Sequence, residues 1–235
     1  MKNLTIALLM VCALFTTVSA DIGIKVGVSA QIGSMEASGK EANSDGATAT
    51  RVSNTREALF GTGGYFIEKD LAFLPGRLGD LGSRISIGYD NIVHDLDVGT
   101  VNNVREKATL GAGGATVAAT VHSLNAKITG FETVYATLNI TDWLFVKYGN
   151  VTVDVETEYK GTATSKYAKN HDLDGTVFGI GLVKESDNGW FTRLEYNDYD
   201  IDGKSVSNTG TDSKFTATLN DVTGETGRIS IGKSF

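Results

Sequence analysis

Apolar residues occupy every second position across residues 21–33, and this alternation limits the fold more than any other feature of the sequence. A period of two indicates a β-strand, because successive side chains of a strand point to opposite faces. The face between the apolar residues, from Gly23 to Gly33, is small and polar, with Lys25 as its one charge. In a soluble β protein such a face would be exposed to solvent. In a small membrane barrel it would point inward and fill the interior.

The same alternation returns seven more times, so the sequence predicts eight strands. The later ones are placed at about 58–67, 83–98, 126–140, 143–157, 173–184, 190–201 and a last segment ending at Phe235. Slips in the apolar pattern predict bulges near Gly149 and Gly224. The frame of 126–140 stays open, because Phe131 and Tyr135 mark one face and an apolar set at 134, 136 and 138 marks the other.

The predicted connections alternate in length. Long polar loops follow the first, third, fifth and seventh strands, and shorter connections follow the others. Bacterial outer-membrane barrels have short periplasmic turns and long external loops, whereas a soluble sandwich has no reason to sort its loops in this way. Trp143 and Trp190 each follow a short turn, and Phe235 is predicted at the same level. These three aromatic residues therefore predict a periplasmic interfacial girdle.

The N-terminal residues predict export. Lys2, a nearly continuous apolar run and the small residues before position 21 are typical of a signal peptide over residues 1–20, which leaves 21–235 as one barrel domain. That domain contains no cysteine, since Cys12 lies in the apolar run. It carries 20 basic and 28 acidic residues. An acidic chain without a basic patch argues against nucleic acid as a partner.

The chain resembles the small bacterial outer-membrane β-barrel family, of the opacity-protein and OmpA-like transmembrane-domain type. The resemblance is carried by the eight alternating segments, by NITDW and NGWFTRLEY at strand starts, and by the C-terminal GRISIGKSF. It implies outer-membrane lipid as the surroundings and recognition of the last strand by the barrel-assembly machinery. Carried over to this sequence, the recognition residues are Ile229, Ile231 and Phe235, while Lys233 departs from the family's apolar alternation.

Six charged residues are predicted to point into the barrel. Since an eight-stranded barrel is only wide enough for side chains, these charges must be paired. They are Lys25, Arg84, Asp90, Arg193, Glu195 and Arg228. The arrangement favours a structural network that fills the lumen, and a narrow polar pore is the alternative.

Other motifs predict no catalytic or cofactor site. Asp198, Asp200, Asp202 and Gly203 match the first half of a calcium loop, but Thr209 stands where the final acidic ligand belongs. The three histidines lie at strand ends or in loops. His122 and Ser123 are adjacent, so they face opposite sides of a strand and cannot act as base and nucleophile.

The sequence therefore predicts an all-β protein, an eight-stranded antiparallel up-and-down transmembrane β-barrel in the bacterial outer membrane. The expected function is a non-enzymatic envelope scaffold with loops for surface contact. A small porin-like channel for polar solutes and a secreted soluble barrel that binds a ligand are the alternatives.

Overall fold

The computed structural model describes residues 22–43, 52–74, 81–93, 95–105, 120–160, 168, 170–207 and 215–235. The predicted signal peptide at 1–20 and its cleavage site lie outside the described residues. No helix within these ranges is long and apolar enough to cross a membrane.

Eleven strands form one antiparallel sheet. They are β1 (Ile24–Asn43), β2 (Val52–Asp70), β3 (Ile85–Ile92), β4 (Leu96–Arg105), β5 (Thr120–Asn139), β6 (Leu144–Lys160), β7 (Asn170–Glu185), β8 (Trp190–Ile201), β9 (Lys204–Ser207), β10 (Phe215–Leu219) and β11 (Val222–Ser234). Three of the walls are each built from two successive strands, β3 with β4, β8 with β9, and β10 with β11. The result is the predicted closed eight-stranded barrel.

The first and last strands close the barrel. β1 and β11 pair without interruption from Lys25 opposite Ser234 to Glu36 opposite Thr223. The Ile22 amide donates to the Phe235 carbonyl at 2.8 Å, and the Phe235 amide donates to the Ile24 carbonyl at 2.8 Å. Ile22 and Phe235 therefore lie at one end of the barrel, together with the connections at 140–143 and 186–189. We call this the turn end and the opposite one the loop end.

Apolar side chains cover the outer surface over the half of the barrel nearer the turn end. We call this outward-facing surface the apolar belt. Its large exposed members are Val28, Ile32, Leu59, Ile67, Ile87, Val134, Leu138, Phe178, Ile180, Leu182, Leu194, Tyr196, Ile229 and Ile231. The belt settles the open frame of β5, because Phe131 and Tyr135 are buried inside while Val134 and Leu138 face outward.

Toward the loop end the outer surface becomes polar and the interior becomes apolar. There the outward positions are polar and exposed: Thr152, Asp154, Glu156, Asp172, Asp174, Asp198, Asp200, Thr223 and Glu225. The interior at that level holds a packed apolar layer, made of Met35, Ile92, Ile128, Phe131, Val151, Val153, Leu173, Val177, Tyr199, Ile201 and Val222. Near the loop end the barrel therefore has a polar outer surface and an apolar interior, as a soluble barrel does.

The predicted bulges near Gly149 and Gly224 are both wrong. The β6 ladder is continuous through Gly149 on both edges, so there is no bulge there. The apolar pattern slips because Tyr148 belongs to the outer surface and Val151 to the inner apolar layer. Gly224 also lies in an unbroken ladder, and the interruption falls at Asn220 and Asp221, between β10 and β11.

The strands are longer at the loop end than the sequence predicts. β1 continues to Asn43 and β2 starts at Val52, in a region predicted to be loop from 34 to 57. The sequence pattern misses these extensions because their outer face is polar and only scattered inner positions such as Met35 are apolar. What remains of the long connections lies mostly outside the described residues.

Candidate functional site: a charged layer inside the barrel

Three ion pairs fill the interior at the level of the apolar belt. Arg193 pairs with Glu68, Arg228 with Asp90, and Lys147 with Glu195. All six side chains are buried. We call these six residues, together with Tyr135, the charged layer. Its three cations and three carboxylates balance, as a cluster of charges removed from water requires.

The pair of Glu68 and Arg193 is bidentate. Arg193 Nη1 lies 2.5 Å from Glu68 Oε1, and Nη2 lies 2.6 Å from Oε2. The Tyr135 hydroxyl donates to the same Oε1 at 2.9 Å. The planar fork of the guanidinium matches the carboxylate, so this geometry fixes both side chains.

Each ion pair joins strands that are not neighbours in the sheet. Arg193 lies on β8 and Glu68 on β2, while Arg228 lies on β11 and Asp90 on β3. Lys147 on β6 reaches over β7, and its ammonium lies 2.9 Å from Glu195 Oε2. Arg193 with Glu68 and Arg228 with Asp90 therefore cross the lumen, whereas Lys147 with Glu195 joins two walls on either side of β7.

Aromatic rings surround the charges. The Arg193 guanidinium lies 4.9 Å from the ring centroid of Phe191, 5.2 Å from that of Phe145 and 5.4 Å from that of Phe66. Each of these rings lies against a glycine that is its cross-strand partner, where a Cβ would collide with the ring. These pairs are Phe66 with Gly27, Phe145 with Gly181 and Phe191 with Gly232. The rings pack on bare backbone, and the guanidinium lies over their faces as a cation–π contact.

The side chains of the charged layer are shielded from solvent. A water-filled pore would leave its lining residues exposed to solvent, yet Glu68 is 1% exposed and Lys147 and Arg228 are each 3% exposed. The apolar layer lies on the loop-end side of the charged layer and is also buried. Two buried layers of different chemistry therefore follow each other along the barrel axis.

Two of the six predicted inward charges lie outside this layer. Arg84 is exposed at the turn end, where its Nη1 lies 3.5 Å from the Ile140 carbonyl, so its predicted place in the lumen is corrected. It precedes β3, so its side chain extends beyond the wall. Lys25 lies at the mouth of the barrel, 3.8 Å from the partly exposed Glu185. Asp90, Arg193, Glu195 and Arg228 are in the interior.

Sequence reasoning missed three members of the layer: Glu68, Lys147 and Tyr135. The predicted second strand ends at about residue 67, which leaves Glu68 in the following turn. In the structure β2 continues to Asp70 and keeps Glu68 on the same inner face as Phe66. Lys147 shares the inner face of β6 with Phe145. The period of two alone could have placed both residues, had it been continued through the apparent irregularities of the pattern.

The predicted aromatic girdle is partly corrected. Trp143 and Trp190 lie at the turn end and are 58% and 41% exposed, whereas Phe235 is only 8% exposed. Phe235 packs into the closure of β1 and β11 because its backbone hydrogen-bonds to the start of the chain. The other two residues of the predicted assembly signal, Ile229 and Ile231, face outward in the apolar belt.

The calcium motif does not form a loop. Asp198 and Asp200 belong to the extended strand β8, on its exposed outer face. Carboxylates two residues apart on a strand are separated by roughly 6.5–7 Å, so they do not converge on one ion as the residues of a calcium loop do. Within the described ranges, no three His, Cys, Asp or Glu side chains come together as a metal site.

The barrel fold is similar to that of solved outer-membrane proteins. The outer membrane protein OprG from Pseudomonas aeruginosa superposes with a TM-score of 0.51 at 8% identity, over 92% of this chain and 98% of that one. The outer membrane protease OmpT from Escherichia coli is similar over 94% of this chain and 99% of its own, at 9% identity and a TM-score of 0.47. Identities this low show similarity of fold alone. No family model and no curated protein sequence matches this chain.

Proposed function

We propose that the protein is a non-conducting integral barrel of the bacterial outer membrane that serves as an envelope scaffold and presents its loop end for surface contact. The observation that carries this proposal is the burial of the charged layer. Its three ion pairs and the apolar layer occupy the space that a solute would have to cross.

The apolar belt supports insertion in a membrane over the soluble alternative. Leu59 is 84% exposed and Ile32 is 72% exposed on adjacent strands. A continuous apolar surface around a monomeric barrel is unfavourable in water and favourable in hydrocarbon. The sheet also closes on itself through the ladder of β1 and β11, which pairs backbone groups that an open edge would expose to hydrocarbon. We therefore place the turn end in the periplasm and the loop end outside.

The burial of the charged layer argues against the porin-like alternative. A polar solute would have to separate Arg193 from Glu68, and that pair is bidentate and surrounded by aromatic rings. Beyond it, Tyr199 carries the one side-chain hydroxyl of the apolar layer, so a polar solute would gain few hydrogen bonds there. We assign the protein no catalytic role, and the barrel-assembly machinery is its proposed partner during insertion, through Ile229, Ile231 and Phe235.

Single-channel recording in planar lipid bilayers tests the proposal. The refolded residues 21–235, with folding confirmed by heat-shifted gel mobility, should give no discrete current steps. The variant Asp90→Ala/Arg228→Ala removes one ion pair without changing the net charge of the layer. It should stay silent as well, because the apolar layer still blocks the axis.

Reproducible current steps from the wild-type barrel would contradict the scaffold proposal and favour a channel. Current steps from the double variant alone would show that the apolar layer does not block ions, which contradicts the silence expected of that variant.

A further inference from the structure

Three outward-facing residues at the turn end form a basic and aromatic patch. They are Lys184 on β7, Trp190 on β8 and Lys233 on β11, three strands that are adjacent in the sheet. Trp190 is the cross-strand partner of Lys233, and the next outward residue of β8, Thr192, is the partner of Lys184. The two lysines are therefore roughly 10–12 Å apart on the barrel surface, with the indole beside them.

The patch lies at the edge of the apolar belt. Lys184 follows the belt residue Leu182 by two positions, and Lys233 follows Ile231 in the same way. The Lys233 ammonium lies 5.8 Å from the centroid of the Trp190 ring and donates to the Asn188 carbonyl at 2.5 Å. Its alkyl chain therefore runs along the wall while its charge stays at the level of the turn, as a lysine at a membrane interface does.

Among the ion pairs of the described residues, none joins Lys184 or Lys233 to an acidic side chain. Glu185 belongs to the mouth of the barrel, where it lies 3.8 Å from Lys25. Asp187 is in the turn itself, beyond the strand ends. At the opposite edge of the belt the outward charges have the other sign, and they include Asp174, Asp198 and Glu225. The two edges of the belt are thus different in charge.

We propose that this patch binds the phosphate of an anionic phospholipid in the leaflet at the turn end. The inference rests on the proposed insertion in a membrane. Lys184 and Lys233 supply the charge at the depth of a phosphodiester, and the acyl chains lie along Leu182, Leu194 and Ile231. The Trp190 ring occupies the interfacial level that indoles prefer. A zwitterionic lipid carries its own ammonium group, so it gains less from the two lysines.

Quenching of Trp190 by brominated lipids tests the proposal. The domain at 21–235 has two tryptophans, so Trp143→Phe leaves Trp190 as the only one. The protein is refolded into vesicles that mix brominated phosphatidylglycerol with unlabelled phosphatidylcholine, and into the reverse mixture. We expect the patch to prefer the anionic lipid by about fivefold or more, because each lysine near the surface contributes about 1 kcal/mol toward an anionic lipid. The preference should weaken at high salt.

Matched variants distinguish this site from a general surface charge. In the Trp143→Phe background, Lys184→Gln/Lys233→Gln should abolish the preference. Lys69→Gln should retain it, since Lys69 lies at the same edge of the belt but pairs with Asp70 at 3.1 Å. All these substitutions are on exposed or half-buried residues, and heat-shifted mobility confirms folding.

Equal quenching by both lipids, or a preference that survives loss of the two lysines, would overturn the lipid site. Those results would leave membrane insertion intact, since Trp190 would still be quenched. Absence of quenching by either lipid would instead refute the insertion itself, and with it the proposed function.

Discussion

Arg193→Met is expected to destabilise the barrel by about 3–5 kcal/mol, the usual cost of removing one partner of a buried ion pair. The substitution leaves the Glu68 carboxylate 1% exposed, with the Tyr135 hydroxyl as its remaining partner among the contacts described above. Methionine fills much of the same space among Phe66, Phe145 and Phe191, so lost packing contributes little. Equilibrium unfolding in urea, with the barrel in lipid vesicles, measures the free-energy change.

The double variant Glu68→Gln/Arg193→Met is the matched control. It removes both charges and leaves an amide that still accepts a hydrogen bond from Tyr135, so most of the lost stability should return. Lys25→Gln, at the mouth of the barrel, should cost less than about 1 kcal/mol because its partner Glu185 is solvated. If Arg193→Met is as stable as wild type, or if the double variant is no better than the single one, the charged layer is not the cross-lumen tie described here.

The second large effect concerns the apolar belt. Leu194→Arg should cost about 2–4 kcal/mol in a bilayer, because Leu194 lies within the belt on the outer face of β8 and an arginine near the midplane loses its hydration. The same urea titration in vesicles measures this cost.

Asp198→Arg is the control for that experiment. Asp198 lies on the same strand and the same face, four residues toward the loop end, where the outer surface is already polar. It should cost no more than about 1 kcal/mol, as at a membrane interface. Equal costs at the two positions would mean that no bilayer boundary lies between Leu194 and Asp198.

The fold could be predicted from the sequence where turn signals mark the ends of a strand. The predicted bounds of β8, 190–201, are those of the structure, because a turn with an Asn-Gly pair precedes it and a polar segment follows it. The extensions of β1 and β2 could not be predicted in this way. Beyond the belt the outer face is polar and the inner face becomes apolar, so a pattern read for one constant apolar face ends too early.

The charged layer was only half predictable for a different reason. Asp90, Arg193, Glu195 and Arg228 follow from the strand frames alone. Their partners do not, because each pair joins strands that are separated in the sheet. Which residues meet across the lumen depends on the stagger of the closed barrel, and no local spacing in the sequence encodes that stagger. Phe235 was misplaced for a related reason, since its burial depends on the closure with Ile22 and Ile24.

Under the proposed insertion, the outer surface changes from lipid-facing to water-facing along a single strand. Single-cysteine labelling along β8 tests this change, since residues 21–235 contain no cysteine of their own. In vesicles, cysteines at 194 and 196 should resist a water-soluble maleimide and react with a lipid-soluble one. Cysteines at 198 and 200 should react with the water-soluble reagent, and those at the buried positions 197 and 199 with neither. Equal reaction of positions 194, 196, 198 and 200 with the water-soluble reagent would contradict the membrane barrel.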